Sequence, residues 1–191
     1  LSDWLIKEGY LVLKENVKIM GPCKLEDSMI DWDKTRVFVN GFLEAQIFIN
    51  LKGREPKGVV GQDEYFALIN ELEEKLKKIP GEDGRMLNTL IFKKFDKLIG
   101  KYEKIAPDMI VYFDDLQYGC NPTKIGNPTL WSSSTAKWSD DAGHSKKGIF
   151  IMNKSKQTGN IGEIDILDVA PTILDKMGVK IPAYFKGNII E

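Results

Sequence analysis

Histidine is nearly absent from this chain of 191 residues; His144 is the only one. A zinc centre wants about three or four ligands, so imidazoles of this chain alone do not build one. Cysteine is scarce as well: Cys23 and Cys120 lie far apart and match no metal or redox spacing. Free thiols in a reducing compartment are the simplest reading, and a single disulfide stays open. An excess of charge of either sign is also missing, with 27 Lys plus Arg against 28 Asp plus Glu. That balance gives no electrostatic reason to bind a nucleic acid polymer. No apolar run approaches the roughly 20 residues that span a bilayer. The opening "LSDWLIKEGY" lacks the long apolar region of a signal peptide. A soluble, cytoplasmic protein without membrane partners is expected. An initiating Met is absent too, so a chain beginning at Leu1 is expected to be processed, trimmed or cut from something longer.

What is present is 42% hydrophobic residues, enough for one domain with a substantial core. "SDWLIKEGYLVLK" reads as a short helix and then a strand, with Ser2 or Asp3 as cap, Gly9 as stop, and Trp4 and Leu5 turned to the core. A short strand is expected near "RVFVN". The apolar run Ile47 to Leu51 reads as a buried strand delivering the basic turn "NLKGREP". In "QDEYFALINELEEKLKKI", Phe66, Ile69, Leu72, Leu76 and Ile79 recur at helical spacing until Pro80-Gly81. "LNTLIFKKFDKLIGKYEKI" has similar spacing, so a helical stretch is expected over about 62–106. Met109 to Phe113 and "GIFIM" are two more runs of strand type, and Ala170 to Met177 a last helix capped by Asp168 and ended by Gly178.

Strands alternating with amphipathic helices predict an α/β fold with a largely parallel sheet flanked by helices. In such sheets ligands sit beyond the carboxyl ends of the strands. That rule puts "NLKGREP" and "FDDLQYG" at the candidate edge. Each candidate has a plain reading beside the functional one. Lys52 and Arg54 suit a solvated basic turn, Asp114-Asp115 a strand end, Asp140-Asp141 a turn pair, and Ser132, Ser133, Ser134 and Thr135 a polar loop. By residue type alone His144 is a solvated or hydrogen-bonded side chain, and Gly143 beside it permits close backbone approach.

Four segments taken in order, "INLKGREPKGVV", "KIAPDMIVYFDD", "DDAGHSKKGIFI" and "IDILDVAPTILDKMGVKIPAYFKG", resemble the C-terminal half of the alkaline phosphatase superfamily. The similarity is greatest to its type I phosphodiesterase and nucleotide pyrophosphatase branch, and it extends over nearly the whole chain. The resemblance implies a single partial domain over 1–191, the C-terminal part of an alkaline phosphatase-like core whose N-terminal half lies upstream. It implies a phosphoric ester hydrolase parent in which two divalent metal ions, typically zinc, serve phosphoryl transfer on a phosphate ester substrate. His144 takes the place of the family's late metal ligand, with Asp140 or Asp141 able to orient its second ring nitrogen. Lys52 or Arg54 is a candidate contact to substrate phosphate, with a structural ion pair as the equal alternative. No catalytic residue of this chain matches the family's nucleophile. The chain alone is expected to be inactive, to bind no metal tightly and to self-associate through exposed apolar surface. The alternative is a non-catalytic binding or assembly module that keeps the fold.

Overall fold

The computed structural model describes residues 1–97, 100–131, 145, 147–153 and 159–191. The chain divides into two compact units, Leu1–Lys146 and Lys147–Glu191.

In the first unit, helix α1 (Ser2–Lys7) is stopped at Gly9, whose φ of +77° is the left-handed conformation that glycine adopts without strain. Neither expected residue caps α1 through its side chain. Ser2 is buried and its hydroxyl donates to the Pro122 carbonyl at 2.7 Å, while Asp3 accepts from the backbone N–H groups of Gly126 and Asn127. Both thus tie the start of the chain to strand β6 (Lys124–Ile125), which pairs with β1 (Cys23–Lys24).

The main sheet has four strands, β2 (Val37–Asn40), β3 (Ala45–Ile49), β4 (Leu90–Lys93) and β5 (Met109–Tyr112), in the order β2-β3-β5-β4. Every strand pairing in it is antiparallel. The expected largely parallel sheet is therefore not what the described residues form, and the topology explains why the pattern pointed there. Strand β3, helix α2 (Gln62–Leu76) and strand β4 do make a strand-helix-strand unit in which the two strands run the same way. They are not neighbours, because β5 fits between them and runs against both. This is a split βαβ arrangement. Alternation of strand and helix reveals direction but not adjacency.

Helix α2 carries Asp63 and Glu64 in its first turn, where the helix dipole favours acids, and the Glu64 carboxylate accepts from the Gly61 N–H at 3.2 Å. Its buried stripe is Tyr65, Leu68, Ile69, Leu72 and Leu76. Phe66, expected on that stripe, is 58% exposed and meets Tyr65 and Phe95 edge to face instead. The stripe packs in one core with Val37, Ala45, Ile47, Ile49, Met109 and Val111 of the sheet. Burying Leu68, Ile69, Leu72 and Leu76 contributes about 6–12 kcal/mol at roughly 1.5–3 kcal/mol each. On the opposite face of the sheet Phe38 stacks on Phe48 at 5.2 Å, with Trp32 edge-on to Phe38.

The second expected helix is corrected in the same way. "LIFK" is strand β4, and among the described residues between there and β5 only Lys94–Lys97 (α3) and a turn at Glu103–Ile105 are helical. Leu90, Ile91 and Phe92 suit a pleated strand as well as a helix, and pairing with Tyr112, Val111 and Ile110 decides for the strand.

In the second unit helix α4 (Val169–Lys176) lies where expected, ending before Gly178 at φ +67°. Asp168 does not cap it by a side-chain bond to its first turn. Its carboxylate instead accepts from the N–H groups of Asp165 and Asn188. Thr172 is buried; its hydroxyl donates to the Asp168 carbonyl and accepts from the Ile190 N–H, so the C-terminal segment is pinned along the helix. Gly187 passes so close to the Leu167 carbonyl that a methyl group there would collide with it. Of the expected core trio Val169 and Leu174 are half-buried and Ile173 is exposed. "GIFIM" forms no strand in the described residues; Ile149 and Ile151 are about nine-tenths exposed, at 92% and 89%. An apolar run becomes a strand only where a partner strand supplies the other half of its hydrogen bonds.

Candidate functional site

Because β3 and β5 are antiparallel, their carboxyl ends lie at opposite ends of the sheet. The two loops expected to share one edge are separated, and each meets the beginning of a neighbouring strand instead. The loop after β3 meets the start of β5; the loop after β5 meets the approach to β4.

At the first junction Asn50, Gly53, Arg54 and Gly58 of "NLKGREPKG" have structural tasks. Asn50 is buried, and its amide donates to the carbonyls of Trp32, Thr35 and Lys57 while its backbone carbonyl accepts from Val59 and Val60. Gly53 has a φ of +81°, and Gly58 presses on the Leu51 carbonyl where no methyl group fits. Arg54 turns inward. Its Nη1 donates to Asp108 Oδ1 and its Nη2 to Asp108 Oδ2, both at 2.6 Å, while Nη2 also donates to the Ile49 carbonyl and Nε to Glu55. Four of its five N–H donors are thereby used.

Asp108 has no exposure, and two further donors complete its shell: the Ile49 N–H at 2.7 Å and the Tyr65 hydroxyl at 2.7 Å. Burial alone would lower the Arg54 pKa, but the hydrogen bonds and charge of Asp108 outweigh it and raise the pKa above the ordinary value. Burial, followed by the bond to Asp108, also raises the Tyr65 hydroxyl. One carboxylate therefore ties together the end of β3, the loop behind it, helix α2 and the start of β5.

The candidate phosphate contacts separate accordingly. Arg54 sits in the ion pair, whereas Lys52 is exposed and its backbone N–H bonds to the Val60 carbonyl. Asp108 and Tyr65 were not legible as partners. The one available signal is an acidic residue placed directly before a buried run, in "PDMIVY".

The second junction is strained. Asp114, Asp115 and Leu116 have φ angles of 52°, 52° and 72°, left-handed values that cost non-glycine residues roughly 1–2 kcal/mol each. Arg85 holds the Asp114 carboxylate with its two terminal nitrogens, Nη1 and Nη2, and the Asn88 N–H adds a longer bond at 3.3 Å. The bond from Arg85 keeps Asp114 below its ordinary pKa and raises that of Arg85. Alongside, Trp131 packs against Tyr118 with ring centroids 4.4 Å apart and planes tilted by 49°, and donates from Nε1 to the Pro80 carbonyl at 2.6 Å. Arg85 lies in the acidic, glycine-rich "GEDGRM", where a turn is the plain expectation and no local pattern points to Asp114.

His144, Gly143, Asp140, Asp141 and the residues Ser132, Ser133, Ser134 and Thr135 lie outside the described residues. Among the described residues no three His, Cys, Asp or Glu side chains converge as metal ligands. The buried carboxylates Asp108 and Asp114 are closed by arginines. Cys120 is a buried free thiol whose pKa burial raises; Cys23 is also free. No described helix is long and apolar enough to cross a membrane. Compared with family models, curated proteins and solved structures, the chain matches none.

Proposed function

We propose that this chain is the C-terminal portion of a metal-dependent phosphodiesterase or nucleotide pyrophosphatase-like hydrolase with an alkaline phosphatase-like core. The reading is carried by the ordered set of four segments around Lys52-Arg54, Asp108-Asp115, His144 and Asp165-Gly187. In its support, the first two of these segments are joined by the Arg54–Asp108 pair. His144 would bind one of two divalent cations, which when bound activate the nucleophile and neutralise charge on phosphoryl oxygens. The nucleophile and the remaining ligands would come from the N-terminal half. Lys52 is the better candidate for a substrate phosphate, being exposed, whereas Arg54 serves the scaffold.

The test is made on the intact parent. With zinc supplied, it should hydrolyse a nitrophenyl phosphodiester, and both His144→Ala and chelation should lower turnover by about a hundredfold or more. Unchanged turnover in the variant would remove His144 from the metal site. The second reading, an assembly module, is favoured by the exposure of Ile166, Leu167, Ile173, Met177 and Tyr184 in the second unit. Self-association is expected under either reading, and a monomer in size-exclusion chromatography with light scattering would count against it; hydrolysis of the diester by the intact parent decides between the two.

A further inference from the structure

Strand β2 ends at Asn40 and β3 begins at Ala45, so residues 41–44 make the turn of this hairpin. Gly41 enters the turn with a φ of +97°, and a methyl group there would lie 2.2 Å from the Glu44 carbonyl oxygen. Only glycine fits that position without rebuilding the turn. The hairpin thereby keeps an Asn-Gly dipeptide, a pairing that suits tight turns, and Asn40-Gly41 is the only one in the chain.

The same dipeptide is chemically labile. Asparagine is one of the thermolabile side chains, most of all before glycine, whose missing side chain leaves its backbone nitrogen open to approach the asparagine amide. Three observations leave Asn40 unprotected. Its side chain is exposed and makes no hydrogen bond among the described residues. The Gly41 N–H donates to no described acceptor. Asn40 opposite Gln46 is the terminal pair of the β2–β3 ladder, on an outer strand of the sheet, so rotating Asn40 toward its neighbour's nitrogen breaks no strand pair but that one. Asn50 is the contrast: it is buried, and its amide is held by the carbonyls of Trp32, Thr35 and Lys57.

We propose that Asn40 is a site of spontaneous deamidation, a modification that ages the β2–β3 hairpin. The Gly41 nitrogen gives up its proton to solvent base and attacks Asn40 Cγ. A bond forms between that nitrogen and Cγ, the bond from Cγ to Nδ2 breaks, and ammonia leaves a succinimide behind. Water then opens the ring. Attack at Cγ yields aspartate, and attack at the main-chain carbonyl carbon yields isoaspartate, in which the chain runs through the former side chain. Nothing is oxidised or reduced, and the steps need neither a metal nor the proposed hydrolase activity. Either product adds one negative charge to the formal −1 of the chain. Isoaspartate also adds a methylene to the main chain at the end of β2. The turn must absorb it against the close approach of Gly41 to Glu44, or the pair with Gln46 opens.

The experiment incubates the folded chain in mildly alkaline buffer and follows its peptides by mass spectrometry, with methylation by a protein isoaspartate methyltransferase as a second readout. A mass gain of about 1 Da should accumulate on the peptide holding Asn40 before it appears at any of the other nine asparagines. Methyl acceptance should rise on the same peptide. Asn40→Gln, at an exposed position, should remove both signals there, because glutamine has to close a larger ring. In guanidinium chloride the Asn40 rate should rise by less than about tenfold, since the end of the hairpin opens at little cost. Protection by the fold greater than about tenfold, a different asparagine reacting first in the folded chain, or absence of reaction in both states overturns the proposal.

Discussion

Replacing Arg54 with Met separates a structural from a substrate-binding role for this residue. The substitution keeps much of the side chain's length and apolar bulk but removes the guanidinium. Asp108, with no exposure, is left with the Ile49 N–H and the Tyr65 hydroxyl and no compensating charge. Breaking a buried ion pair from one side costs about 3–5 kcal/mol. Arg54 retains 17% side-chain exposure, so water can reach the gap and the lower half of that range applies. In a chain of 191 residues, where 1 kcal/mol moves the midpoint by about 2–4 °C, the loss is about 6–16 °C for roughly 3–4 kcal/mol. Thermal and urea unfolding followed by circular dichroism would read it. Adding Asp108→Asn should restore part of the loss, about 1–3 kcal/mol, since the amide carries no charge, its oxygen can accept from the Ile49 N–H and its NH2 can donate to the Tyr65 hydroxyl oxygen. The reasoning is refuted if Arg54→Met costs less than about 1 kcal/mol, or if the double variant is no more stable than the single one.

Two shorter predictions concern the loops. The Asp114 pKa is lowered in the folded chain, so its stabilising contribution is complete above the unfolded value of about 3.9 and is lost as pH falls through the folded one. Carbon NMR should find this carboxyl titrating below the ordinary aspartate range, and Arg85→Ala should move it upward; an unmoved titration would contradict the assigned cause. Gly58→Ala drives a methyl group into the Leu51 carbonyl and should destabilise by about 1–3 kcal/mol in urea unfolding. A neutral result would mean that the loop relaxes freely.

Local pattern was enough where the physics is local. Helix α2 was visible from its apolar period and Pro80, and β3 and β5 from their continuous apolar runs. Strand β4 was not, because "LIFKKF" satisfies both periods and only the pairing with β5 selects one. Phe66 shows the limit of a one-residue error: the stripe is shifted to Tyr65 and Leu68, and Tyr65 then reaches Asp108. The polar site was the least legible part. Arg54 and Asp108 are 54 residues apart, and nothing near either residue announces the other. The antiparallel course of β3 and β5, which brings them together, is itself a long-range fact. The meaning of "NLKGREPKG" thus changes from an outward basic turn to an inward clasp, with Lys52 as its exposed cation.

The placement of β5 also bears on how the chain is made. The strand that occupies an inner position of the sheet, and begins beside the carboxylate that fastens Arg54 and Tyr65, is the last of the four to be synthesised. Until residues 108–112 have left the ribosome, β3 and β4 have a vacancy between them and Arg54 has only Glu55 as counter-charge. The four-stranded sheet therefore cannot close before β5 is made, and a pause in translation before Asp108 leaves the β3 and β4 edges that β5 would cover unpaired.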